Sequence, residues 1–280
     1  MIASGFVVFS LVIALGGCLP DHPVSLEQMS DYTLKGIVLP ELPPCHVQGL
    51  KLIRPAIFVS CADQTRHRAL LYRIADPEPV QKADLTEGAR YHPSGMDYSQ
   101  GCLWVAVAEY RPHSNSRILC LDPDSLTPRT SFEVKDHIGA LAVAGDHIVG
   151  WNWDSRQIYL WDLSGRELDH GRSPFGVAYQ DCKAVDSGVI LCSGIKSRGR
   201  FFFRQGVVDR ILANPDSVQS FRLLERRVIQ GRSRAGHHLT REAFDFSESI
   251  FYFIPDDLPE AKVYAYPSVA PPKEAGMRTR

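Results

Sequence analysis

From His46 onward the chain repeats itself, and that repeat restricts the fold more than any other feature of the sequence. Five segments each read as a short strand, a tight turn and a longer apolar strand: His46–Leu52 into Ala56–Asp63, His92–Tyr98 into Cys102–Glu109, Asp136–Val143 into His147–Asn152, Gln180–Asp186 into Gly188–Gly194, and Arg241–Phe246 into Ser249–Ile254. A third run follows in most units, at Arg68–Ile74, Arg117–Asp122, Gln157–Asp162, Phe201–Leu212 and Lys262–Tyr266. Turns such as Asp122-Pro123-Asp124 then lead to a weaker fourth run, for example Val80–Leu85 or Arg129–Val134. The units start at 46, 92, 136, 180 and about 240, so the first steps are 46, 44 and 44 residues, close to the ~40–45 residues of one propeller blade. The expected fold is therefore all-β: a β-propeller of four-stranded blades, with five blades favoured and six still open. The final step of about 60 residues leaves room for an insertion or a poorly formed blade. The chain runs out after the third strand of the last unit, and Tyr32–Val38 is the segment available to supply the missing outer strand and close the ring.

Ahead of the repeat, residues 5–15 carry no charge and lead into Leu15-Gly16-Gly17-Cys18. The stretch is too short to span a membrane comfortably and suits a signal-peptide apolar region. It resembles the lipobox of bacterial lipoproteins, although the usual basic residue before the apolar run is missing. The resemblance implies lipidation at Cys18, with a plain secretory signal and then an uncleaved anchor as the competing readings, and Leu19 in place of an aspartate leans towards the outer membrane. The chain then divides into a lipoprotein-type signal peptide (1–18), a tether (19–31), the propeller (32–268) and a tail (269–280).

Setting Cys18 aside leaves six cysteines, an even set that suits an oxidising compartment. Cys182 and Cys192 flank the turn Asp186-Ser187-Gly188, and Cys45 and Cys61 flank Arg54-Pro55, so each pair faces across a hairpin. Cys102 with Cys120 follows by elimination, and free buried thiols are the competing reading. No cysteine pair has the close spacing of a zinc site.

The repeat resembles the superfamily of bacterial propellers that includes quinoprotein-like, YVTN-type and SMP-30/gluconolactonase-like folds. The stretches His92–Asp97 and Val107–Pro112 look like an exported propeller family with no assigned function. Propellers host binding modules and many unrelated enzymes, so the resemblance implies fold more than activity.

In such a ring the innermost strand of each blade lines the channel, and residues just before it gather at one mouth. His46, His92, Asp136, His137, Gln180 and Asp181 stand there. Of these, His46, His92, Asp136 and His137, together with Arg111 in the polar loop Glu109–Ser116, are candidate ligand-binding residues. Capping of turns and strand starts competes with that role, and for Arg111 the competing role is a salt bridge with Glu109 or a neighbouring blade. SMP-30-like lactonases hold a divalent cation with Glu, Asn and Asp from different blades, and by that resemblance Glu109, Asn152 and Asp181 are candidate ligands for calcium or another divalent cation. The arginine-rich stretch Arg226–Arg234 is a candidate contact for an anionic surface or a solvated face.

A formal net charge of −1 gives no reason to expect a nucleic-acid partner. No Gly-rich phosphate loop, Gly-x-Ser-x-Gly elbow or His-Glu-x-x-His is present. The expectation is a monomeric binding module on the periplasmic side of the cell envelope, held by its lipid anchor, whose partner is an envelope protein or a small molecule. The alternative is a metal-dependent, lactonase-like hydrolase with its site at the channel mouth.

Overall fold

The structure, a computed structural model, describes residues 39, 42–186, 188–198 and 203–268. Among the described residues, nineteen strands form five antiparallel sheets. The first blade is β1 (His46–Ile53), β2 (Ala56–Asp63), β3 (Arg68–Ile74) and β4 (Gln81–Asp84). The second is β5 (Arg90–Ser99), β6 (Cys102–Glu109), β7 (Ser116–Leu121) and β8 (Pro128–Val134). The third is β9 (Ile138–Ala144), β10 (His147–Asn152), β11 (Gln157–Asp162) and β12 (Glu167–Arg172). The fourth is β13 (Ala178–Asp186), β14 (Val189–Arg198), β15 (Phe203–Leu212) and β16 (Arg222–Val228). The fifth has three strands among the described residues, β17 (Ala243–Ser247), β18 (Ile250–Ile254) and β19 (Tyr264–Pro267). Each sheet pairs its strands in chain order, as a meander does, and together they make a five-bladed β-propeller.

Both faces of a blade pack against neighbours, so its middle strands have no solvent face. Every residue of β2 is buried, whereas the outermost strands β4 and β12 are mostly exposed. This explains why the second run of each unit reads as nearly continuous apolar sequence rather than as an alternation. The core is correspondingly divided into five clusters, one between each pair of adjacent blades. The cluster that joins the last blade to the first contains Leu42, Val47, Leu50, Val59, Tyr252 and Ile254 and closes the ring. Cys45 supports the closure by exchanging backbone hydrogen bonds with Leu258 at 3.4 and 3.0 Å. The expected ring-closing strand at 32–38, the signal region with Cys18, the tether and the tail from 269 onward lie outside the described residues.

The long final repeat step is an insertion, not a sixth blade. Strands β14 and β15 are ten residues each, and residues 229–242 run from β16 to β17 through a 3-10 turn at Leu239–Arg241. Three disulfides, Cys45–Cys61, Cys102–Cys120 and Cys182–Cys192, span Cα distances of 5.6, 5.4 and 4.1 Å. Cys182 and Cys192 are direct cross-strand partners in β13 and β14. Such a set is the signature of a chain folded in an oxidising compartment. Among the described residues no helix is long and apolar enough to cross a membrane.

The channel is closed at its centre by charge. Lys51 of β1 lies 3.2 Å from Asp97 of β5 and 3.1 Å from Asp245 of β17. Lys183 of β13, fully buried, pairs with Asp181 and donates to the Met96 carbonyl at 2.5 Å. The carboxylates also tie neighbouring inner strands together through backbone N–H donors. Asp181 accepts from Leu50 and Phe244, Asp97 from Val143 and Ala184, and Asp245 from Leu52. Gly95 lies against Asp181 so closely that a Cβ there would overlap the carboxylate, which is why this position has no side chain. Ammonium groups paired with carboxylates that also accept N–H bonds are the arrangement that makes buried charge tolerable.

Candidate functional site

Above that plug, at the end of the channel where β1, β5 and β9 begin, lies a cavity of about 370 Å³. Its polar lining includes His46, His92, His137, Arg241 and Glu242, and Tyr110 and Trp153 form aromatic walls. The repeat explains the convergence. His46 and His92 hold equivalent places at the starts of inner strands, and His137 immediately precedes the third. Tyr110 and Trp153 each follow the last residue of a second strand, in blades two and three.

His137 and His92 form a hydrogen-bonded chain whose tautomers are set by backbone. His137 Nδ1 lies 2.9 Å from the Glu109 carbonyl and 3.1 Å from the Arg111 carbonyl. Carbonyls only accept, so Nδ1 carries the proton and Nε2 of the neutral ring is an acceptor. His92 Nδ1 lies 3.1 Å from that Nε2 and must be the donor. The remaining lone pair of neutral His92 is thus on Nε2, which makes no hydrogen bond among the described residues. Tyr110 meets the His92 ring edge-on at 4.3 Å, and Trp153 meets His137 edge-on at 4.6 Å. Burial, then the neighbouring His137 and His46, holds His92 well below the ordinary imidazole pKa. Burial also lowers His137, against the two carbonyls it donates to.

His46 is held in the opposite sense. Its Nδ1 lies 2.8 Å from Asp257 Oδ1 and its Nε2 lies 4.0 Å from Glu242 Oε1. Burial alone would lower it, but the Asp257 hydrogen bond and the charges of Glu242 and Asp257 outweigh burial and raise it. Burial pushes the Glu242 carboxyl up to about 7, against His46 and Arg241. Arg241 Nε sits 3.0 Å from Glu242 Oε1.

The mouth therefore gathers His46, His92, His137 and Gln180 of the residues expected there, and Asn152 also lines it, while Asp136, Arg111, Glu109 and Asp181 lie outside its wall. Asp136 is not in the cavity wall, because its carboxylate is taken up by the His137 N–H at 2.8 Å, Asn152 Nδ2 at 2.9 Å and the Tyr159 hydroxyl at 2.9 Å. Arg111 is exposed and pairs with Glu109 at 2.7 Å. The oxygen trio taken from the lactonase resemblance is not assembled. Glu109 holds Arg111, Asn152 Oδ1 accepts from Gln157 N–H at 2.8 Å, and Asp181 holds Lys183 deep in the plug. These donors do not fit a shared cation, and among the described residues no group of three or more His, Cys, Asp or Glu is arranged to hold one. The basic stretch is largely structural. Arg226 chelates Asp209 and reaches the Phe175 carbonyl, and Arg227 lies 5.6 Å over the Phe251 ring.

Sequence reasoning passed over Tyr110, Trp153 and the pair Arg241–Glu242. The signal was present: Arg241 opens the fifth unit where His46 and His92 open theirs, and an aromatic follows the second strand in two blades.

No curated protein matches the chain. Among solved structures, the glutaminyl cyclase of Myxococcus xanthus superposes with a TM-score of 0.52 at 10% identity, over 79% of this chain and 90% of that one. A protein of unknown function from Bacteroides caccae gives 0.52 at 10% identity over 80% and 78%. A bifunctional GH43-CE protein of Bacteroides eggerthii gives 0.51 at 13% identity, over 80% of this chain and 33% of that one. At these identities the likeness is one of fold. The model of a family of unknown function, DUF6454, matches residues 60–272, and with most of the repeat inside that match the chain belongs to this family.

Proposed function

We propose that the chain is an exported, lipid-anchored propeller whose channel mouth binds a small polar ligand on the periplasmic side of the envelope. The observation that carries this reading is the mouth cavity itself. It is within the size range of small-molecule sites, is floored by a closed channel, and is lined by convergent ionisable groups beside two aromatic walls. The three disulfides support export, and the Leu15–Cys18 stretch supports the anchor. The ligand's flat or apolar face would lie against Tyr110 and Trp153, and its polar atoms would meet His46, His92, Arg241 and Glu242.

Trp153 is the reporter. Trp104, Trp151 and Trp161 are buried in the blades, so a ligand in the mouth changes chiefly the Trp153 emission. A screen of small polar metabolites by tryptophan fluorescence and thermal shift is expected to give saturable changes that Trp153→Phe removes. Ligands whose effect persists in Trp153→Phe with unchanged affinity would place binding elsewhere.

A further inference from the structure

Resting on the reading of the mouth as a ligand site, we infer that it is built for proton transfer. His92 is the general base and His46 the general acid, acting on a small substrate that undergoes 1,2-elimination. The geometry carries this. The hydrogen-bond chain from the Glu109 and Arg111 carbonyls through His137 leaves His92 with its lone pair on Nε2, in the cavity wall. On the facing blade Asp257 binds His46 Nδ1, an arrangement that favours the doubly protonated ring and leaves a proton on Nε2 to donate. Groups in one site whose surroundings push their affinities for protons apart are what acid–base pairs require, and the directions found for these two histidines agree. Among the described residues the cavity lining holds no lysine or cysteine, and the two histidines together supply the base and the acid that proton transfer within one substrate needs.

In the step, His92 Nε2 takes a proton from a carbon acidified by a neighbouring electron-withdrawing group. The pair of that C–H bond becomes the new π bond. The bond from the adjacent atom to its leaving oxygen breaks with its pair, and His46 Nε2–H protonates that oxygen. His92 ends as imidazolium and His46 as neutral imidazole. Glu242, 4.0 Å from His46 Nε2, is placed to return a proton to it, and solvent resets His92. His137 and Asp257 are positioning residues. The titratable and charged groups facing the pair are His137 and Tyr110 around His92, and Asp257, Glu242 and Arg241 around His46; His92 also lies in the field of His46, and Asp154 and Arg204 complete the charged lining of the cavity.

The test uses the full-length protein and two probes, 5-nitrobenzisoxazole and unsubstituted benzisoxazole. A base takes the C3 proton of either, the N–O bond breaks, and a cyanophenolate forms. The expected result is saturable turnover that rises with pH with a midpoint below 6.5 and, for the unsubstituted compound, falls again at higher pH as His46 loses its proton. His92→Asn, which keeps a donor towards His137, is expected to lower kcat/KM at least about 100-fold while Trp153 quenching by the probe persists. His46→Gln is expected to slow the unsubstituted compound, the poorer leaving group, at least about fivefold more than the nitro compound. His137→Phe is expected to shift the midpoint of the pH profile. Quenching without turnover, or turnover indifferent to His92→Asn, overturns the acid–base proposal and leaves the binding reading standing. Neither quenching nor turnover counts against both. Independently of any probe, long-range ¹H–¹⁵N NMR is expected to show His92 protonated on Nδ1 alone at pH 7, and a proton on Nε2 there overturns the proposal.

Discussion

Lys183 shows how much of this molecule is decided by single buried residues. Its ammonium is completely enclosed and bound by Asp181 and the Met96 carbonyl, so removing one partner strands the other's charge. Lys183→Met is expected to cost about 3–5 kcal/mol in a denaturant titration. Adding Asp181→Asn, which keeps acceptors for the Leu50 and Phe244 N–H groups, is expected to recover at least half of that. Strict additivity of the two changes would show that the ion pair is not coupled. Glu242 makes a second residue-scale prediction. Its folded pKa of about 7 lies above the ordinary 4.5, so its favourable contribution is complete below 4.5 and is lost as pH rises through 7. Relative to Glu242→Gln, the native chain should therefore lose stability between those limits, by on the order of 3 kcal/mol, measured as unfolding free energy against pH. A difference that is flat across that window would mean that Glu242 is not buried as described. The sequence made His46, His92 and His137 readable because the repeat aligns them. For Asp136 and Arg111 it left a ligand-binding and a structural role both open, and for Arg111 the structural one named the Glu109 pair that forms, because whether a polar side chain turns inward or spends itself on neighbours depends on contacts such as Tyr159 with Asp136, which no spacing encodes. The plug was missed for a related reason: Lys51, Asp97, Lys183 and Asp245 sit on different blades, and only ring closure brings their charges together.

At the scale of strands and hairpins the legibility is much higher. Turn residues and apolar runs place most strands within a residue or two, because a meander uses local pairing and its hairpins announce themselves. Hairpin symmetry also found Cys45–Cys61 and Cys182–Cys192. The third bridge, Cys102–Cys120, joins β6 and β7 although its loop, residues 110–115, is irregular. The bridges close segments of 16, 18 and 10 residues, and restricting the unfolded chain in this way is worth about 3 kcal/mol each. Reduction is expected to lower the melting temperature, and Cys182→Ser with Cys192→Ser to reproduce about a third of the effect. An unchanged melting temperature on full reduction would mean that the bridges contribute no stability. Gly95 is where two strands nearly touch, and Gly95→Ala is expected to destabilise by roughly 1–3 kcal/mol through overpacking, read in the same titration.

For the whole molecule, the closed channel matters most. A plugged ring leaves its two faces as places for a ligand, and they differ in chemistry. One carries the histidine-lined mouth. The other, where the same strands end in hairpins, carries a cleft of about 470 Å³ lined by Ala144, Val149, Leu160, Leu212, Ala213 and Phe221, a mostly apolar surface. The anchor proposed at Cys18 predicts that Cys18→Ser moves the protein from the membrane to the soluble fraction, and retention in the membrane would remove the lipoprotein reading. Elemental analysis before and after chelator tests the lactonase-like alternative, and a stoichiometric divalent ion would revive it. Whether the mouth is the ligand site is decided by soaking crystals with the small polar hits of the fluorescence screen. Ligand density is expected between His46, His92 and Trp153. Density confined to the apolar cleft at Leu212 and Phe221, with an empty mouth, would mean that the mouth is not the ligand site.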